Sequence, residues 1–159
     1  MDFKKLVWNQ LSSSKEYFDR STRNLTEKDS LFSPISGMMS AAQQIAHSAS
    51  TVEWFVSGAF SPTGFDLDFE RHRKEFMEVT SIDSARSWLM EAYEFAISKF
   101  ENSTEEELAA KIADGPILGG APRYAAFLGI VEHSAHHRGA LTGYTRLLGM
   151  VPPMPYMDM

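Results

Sequence analysis

The stretch RYAAFLGIVEHSAHHRGALTGYTRLL, residues 123–148, decides the fold, because apolar positions recur in it every three or four residues without strand-like alternation. It predicts one long helix from Arg123 to Leu148, stopped by Gly149 and the double proline of VPP. On a helix turning ~100° per residue, His133 and His137 lie only ~40° apart, stacked one turn above the other. Ala126, Ile130, Ala140, Tyr144 and Leu148 share their side, so the pair belongs to the core-facing stripe. Two imidazoles side by side in a core are costly unless something binds them. His136 points ~80° from the centre of that face and reads as peripheral.

Working outward, the same spacing predicts three further main helices. The first runs from about Asp2 to Asn24, with Phe3, Val7, Leu11, Tyr17 and Phe18 as its buried stripe, and TEKDSLFSPISG breaks it. The second spans about Ser36 to Ser57, ending before Gly58 and SPTG. The segment GFDLDFERHRKEFMEV reads as a loop or short irregular helix, leading to a third main helix capped at Thr80 or Ser81 and ending near Asn102. Ser103 and Glu106 have the spacing of a capping box, which predicts a short helix before the breaker segment ADGPILGGAP. The fold class that follows is all-α, a four-helix bundle with a long crossover connection, which the long connection between the second and third main helices allows. The expectation is one helical domain over residues 1–159.

Composition narrows the function. Fifteen basic against twenty-one acidic residues give a net charge of -6, and no Lys/Arg stripe forms, which argues against nucleic acid as a partner. The start MDFKKLVWNQLSSS has no apolar signal core, and the longest apolar run, AAFLGIV, is far short of a bilayer span. A cytoplasmic protein without a membrane partner is expected. The absence of cysteine excludes disulfides, zinc-thiolate sites and cysteine nucleophiles. A metal site in this chain must draw on His, Asp, Glu or water.

An ion such as zinc or nickel needs a third ligand, and the second helix offers His47. Met38, Ala42, Ile45, Ala49, Val52 and Val56 define the packing face of that helix, while His47 lies opposite, among Ser40, Gln43, Thr51 and Trp54. Periodicity leaves two readings open, a solvated polar face or a polar pocket aimed at the histidine pair. His72, in the charged run ERHRKE, reads as solvated surface. Position 134 is Ser, so the glutamate of the zincin H-E-x-x-H motif is missing. No G-x-S-x-G elbow is present, and GPILGG matches neither phosphate-binding nor dinucleotide-binding patterns.

The segment HSAHHRGALTGYTRLLGMVPP resembles the end of the DinB/YfiT-like family, with its H-x-x-H-H-R-G motif, Y-x-R-x-x-G and double proline in order. The resemblance implies a four-helix bundle with a crossover and a divalent metal, zinc or nickel, held by three histidines. It carries these ligands onto His47, His133 and His137. The family's frequent Gln after RG is Ala140 here, so any contact that Gln makes is missing. The family includes transferases and isomerases that use low-molecular-weight thiols.

Three neutral imidazoles leave a metal with open coordination, the arrangement of catalytic sites. The function expected is therefore a metal-dependent, low-molecular-weight-thiol S-transferase acting on a small-molecule substrate. The alternatives are a metal-dependent hydrolase and a non-catalytic, metal-stabilised helical protein. Gln43, Trp54, Arg138 and Tyr144 are candidate pocket residues, each with a structural reading beside the functional one. Met and aromatic residues on more than one helix face suggest a homodimer. Protonation of ordinary imidazoles predicts that affinity falls steeply below about pH 6 and that binding releases protons.

Overall fold

The structure, a computed structural model, describes residues 2–157. Six α-helices follow in order, α1 (Phe3–Thr22), α2 (Ala41–Phe60), α3 (Phe69–Met77), α4 (Ile82–Asn102), α5 (Glu105–Ala109) and α6 (Tyr124–Leu147), with a 3-10 turn at Glu27–Asp29. The four long helices form the bundle. Helix α2 packs against α4 and α6, and α1 packs against α6 and α4, closing a ring around one core. The connections 23–40 and 103–123 therefore run across the bundle ends. The α2–α4 connection instead joins neighbours, and its helix α3 folds back onto α2.

Local chemistry sets the helix ends. Asp2, Ser40, Ser81 and Thr104 accept from the backbone of α1, α2, α4 and α5 respectively, satisfying amides that have no partner within the helix. The capping box of α5 pairs Thr104 with Glu107, one residue later than the sequence pattern placed it. Helix α2 starts later than expected because Ser40 and Gln43 form their own capping box, leaving Met38 outside and exposed. It also runs past Gly58 to Phe60. Gly58 is there for packing, since a Cβ would overlap the Phe65 ring, and the true stop is Ser61 before Pro62. Gly149, at φ 79°, closes α6 as a Schellman motif, with its N–H bonded to the Arg146 carbonyl and Met150 N–H to that of Thr145.

Leu11, Phe18, Ile45, Ile82, Phe100, Phe127, Ile130 and Leu141 fill the core. Phe3, expected in the stripe of α1, instead sits at the end of the bundle, edge-on to Tyr124 at 4.6 Å. A polar chain crosses the core at Tyr93, whose hydroxyl donates to Ser134 Oγ at 2.7 Å and lies 3.0 Å from Ser14 Oγ. It ties α1, α4 and α6 at the level of the histidines. Tyr93→Phe strands two buried serine hydroxyls and is expected to cost about 1–3 kcal/mol, read as a lower urea midpoint with an unchanged m-value.

Candidate metal centre

Helix α2 is buried on nearly all sides, because α6, α4 and the returning α3 cover it. The polar side of α2 therefore faces a pocket and not bulk solvent. His47 projects there, its ring 4.5 Å from the Phe76 ring of α3 and tilted by 53° to it. It meets the two histidines of α6, with ring centroids 5.2 Å away at His133 and 4.7 Å at His137. The α6 pair is itself 4.4 Å apart, as one helical turn dictates. One nitrogen from each of the three rings lies within 4.8 Å of the others. His136 is exposed at the margin, beside His137 at 4.9 Å.

Hydrogen bonding shows which nitrogens are available. His47 Nδ1 and His133 Nε2 are buried without any hydrogen-bond partner, a costly state that ligation would relieve. His137 Nδ1 lies 2.5 Å from Gln44 Oε1. An amide oxygen only accepts, so Nδ1 carries the proton and the lone pair of His137 is on Nε2. Gln44 Nε2 donates to Tyr144 Oη at 3.3 Å, and the Tyr144 hydroxyl donates to the Met39 carbonyl at 2.8 Å. Burial and the neighbouring histidines hold His47 down to about 4 and His137 down to about 3. Burial, with the charge of His136, lowers His133 as well. Three neutral imidazoles of this kind suit zinc or nickel, and the cluster can coordinate a divalent ion.

A cleft of about 340 Å³ opens at His47 and His133, walled by Trp54, Phe55, Phe69 and Phe76, with Ser50, Thr51, His72 and Arg73 as its polar members. Trp54 is thus at the cleft, its indole N–H donating to the Asp66 carbonyl at 2.7 Å. Tyr144 lies behind the histidines, joined to them through Gln44. Gln43 points elsewhere, with its oxygen capping α2 at the Ser40 N–H and its nitrogen bound to the Met77 carbonyl at the end of α3. Arg138 lies over the Tyr17 ring at 5.6 Å and lines a different groove, next to the C-terminal segment. Ala140 is half-buried on α6. His72 corrects the sequence expectation. It is half-buried, with Nε2 sealed from solvent, and it lines the cleft.

Gln44 escaped the sequence analysis. Its signal was a glutamine three residues before His47, nearly one helical turn away and so on the same side. Gln44→Leu is expected to weaken zinc binding ~10–100-fold, with Gln44→Glu recovering part of the loss because a carboxylate also accepts from Nδ1. Calorimetric titration of the metal-free variants measures both.

With this geometry in place, comparisons show what the chain is similar to. No protein of curated function matches. Among solved structures, a conserved protein from Enterococcus faecalis aligns with a TM-score of 0.70 and 16% identity, over 94% of this chain and 99% of that one. A DinB-like protein from Bacillus cereus aligns with a TM-score of 0.67 and 16% identity, over 91% and 89% of the two chains. At such identity the likeness establishes the shared fold. The sequence itself matches the DinB superfamily over residues 10–141, a span that holds all three clustered histidines and most of the bundle, and the chain belongs to that superfamily.

Proposed function

We propose that the chain is a metal-dependent enzyme that transfers a low-molecular-weight thiol to an electrophilic small molecule. The observation that carries this reading is a three-histidine donor set at the wall of an aromatic cleft, in a chain that has no cysteine of its own. Zinc or nickel held by His47, His133 and His137 would supply a Lewis-acid centre that favours the thiolate form of a bound thiol. The protein's own contributions are orientation and exclusion of water. Gln44 fixes His137 in one tautomer, and Phe76 fixes the His47 ring from the α3 side. Trp54, Phe55 and Phe69 offer apolar surface to the carbon skeleton of a substrate.

The reading extends to a cytoplasmic homodimer. Exposed apolar side chains on α1, α4 and α6, among them Trp8, Phe95 and Leu128, support assembly, and among the described residues no helix is long and apolar enough to cross a membrane. Sedimentation at high micromolar concentration tests the dimer, and a monomer there counts against it.

Thiol consumption in the presence of an epoxide or alkyl halide tests the activity, comparing zinc- or nickel-loaded protein with the metal-free form. Metal-dependent conjugation that disappears in His47→Ala is expected. Ester hydrolysis by the loaded protein, with no conjugation of any thiol, would assign it to the hydrolases instead.

A further inference from the structure

His72 is the one histidine near the cleft that stands apart from the three-histidine cluster. It sits on α3, between two cavities that share it along with Ser50 and Trp54. One is the aromatic cleft at His47 and His133. The other, of about 570 Å³, is polar and includes Glu53, Asp66, Arg71 and Glu75. The imidazole therefore forms part of the wall common to the metal-facing space and the polar space.

Asp66 is its partner. His72 Nε2 lies 3.5 Å from Asp66 Oδ2 without forming a hydrogen bond to it, and that buried nitrogen has no hydrogen-bond partner. Contacts of this type are often long in a protein without substrate and tighten when it binds. The carboxylate is well anchored. Asp66 Oδ1 accepts from the Asp68 N–H at 2.9 Å, Arg71 pairs with Oδ2, and the Asp66 carbonyl accepts from Trp54. The Asp68 N–H and the Arg71 charge hold the Asp66 carboxyl below its ordinary range, so it is ionised at neutral pH. With the proton on Nε2, on the side of that carboxylate, the lone pair is on Nδ1, which has no hydrogen-bond partner among the described residues. The other charged groups around the two cavities are Arg71, Arg73, Glu53 and Glu75, with His47 and His133 along the cleft.

We propose that His72, oriented by Asp66, is the general base of the cleft and accepts the proton of the incoming thiol. This rests on the thiol reading above. The S–H bond breaks, its electron pair stays on sulfur, and the proton forms an N–H bond at His72 Nδ1, so the step needs no oxidant or reductant. The same proton is then in place for return to a leaving group or to the product. In this arrangement a carboxylate and an imidazole on the α3 side serve a nucleophile received on the α2–α6 side.

Proton inventory tests the assignment without reference to turnover. Cobalt-loaded protein is titrated with 2-mercaptoethanol at about pH 7 in buffers of different ionisation enthalpy, while the cobalt absorption band reports thiol binding. The wild type is expected to release fewer protons per thiol bound than the His72→Gln variant, because the imidazole beside the bound thiolate retains part of the proton. His72→Gln is expected to show the same cobalt spectrum before thiol is added and to release about one proton per thiol bound. Equal proton release from both proteins, with thiol bound in both, overturns the role of His72. An altered cobalt spectrum in thiol-free His72→Gln also overturns it, by making His72 part of the metal site. A wild type whose spectrum ignores the thiol ends the thiol reading itself, a failure distinguishable from the other two.

Discussion

Alanine at position 47 or 137 is expected to strip the metal from the protein, with affinity falling by more than the ~10–100-fold typical of residues that only support a ligand. His133→Ala should behave alike, because two imidazoles leave an ion with too few protein ligands for a stable site. His72→Ala and His136→Ala are expected to keep a full equivalent, since their rings lie outside the cluster whose nitrogens approach within 4.8 Å. Metal content after dialysis gives the comparison directly. Retention of a full equivalent by His47→Ala would remove the α2 ligand and the site with it. Circular dichroism separates ligand loss from unfolding, a control that matters most for His137, because its removal leaves Gln44 Oε1 unpaired in the core.

The second large effect is on stability, through pH and through metal. In the folded, metal-free protein His47 is held at about 4 and His137 at about 3, whereas unfolded imidazoles titrate near ~6.5. Between these limits the unfolded chain binds protons that the folded chain refuses. The contribution is therefore fully present above about pH 6.5 and is lost as pH falls toward 4 and then 3. Thermal melts of the metal-free protein should show Tm dropping across this window, with a shallower drop in His47→Phe, which has nothing to protonate. An equally steep drop in that variant would place the acid sensitivity elsewhere. Zinc at ~100 times its Kd should add about 2.7 kcal/mol at neutral pH, seen as a higher Tm that a chelator reverses.

The same shifts revise an expectation drawn from the sequence. Ordinary imidazoles would release protons on binding an ion and lose it below about pH 6. Buried and already neutral, His47 and His137 compete with few protons at pH 6, and His133 is shifted in the same direction. Binding there should release far less than one proton from each of those two, and occupancy should persist to lower pH.

The long helices and the three histidines were legible in the sequence because both depend on periodicity. Apolar spacing fixed which faces met, and HxxxH stacked two rings on one of them. What escaped depends on contacts between distant segments. Gln43 and Gln44 differ by one residue, a rotation of ~100°, and only the position of α6 shows that Gln44 reaches His137 while Gln43 caps its own helix. His72 looked solvated because its neighbours in sequence are charged, yet α3 folds back onto α2 and brings that one side chain inward. Gly58 looked like a helix end because no local pattern reveals the Phe65 ring that occupies its side-chain space. The length of the connection between the second and third main helices allows a crossover there, whereas the ring of helix contacts makes α2 and α4 neighbours and puts the crossings at 23–40 and 103–123.

X-ray absorption at the metal edge of protein loaded with one equivalent of zinc tests the central claim most directly. Three imidazole nitrogens at ~2.0–2.1 Å in the wild type, with no such shell recovered in the His47, His133 and His137 variants, is the predicted result. A shell made mainly of oxygen, unchanged by those three substitutions, would contradict it and place the ion among the carboxylates of the neighbouring polar cavity.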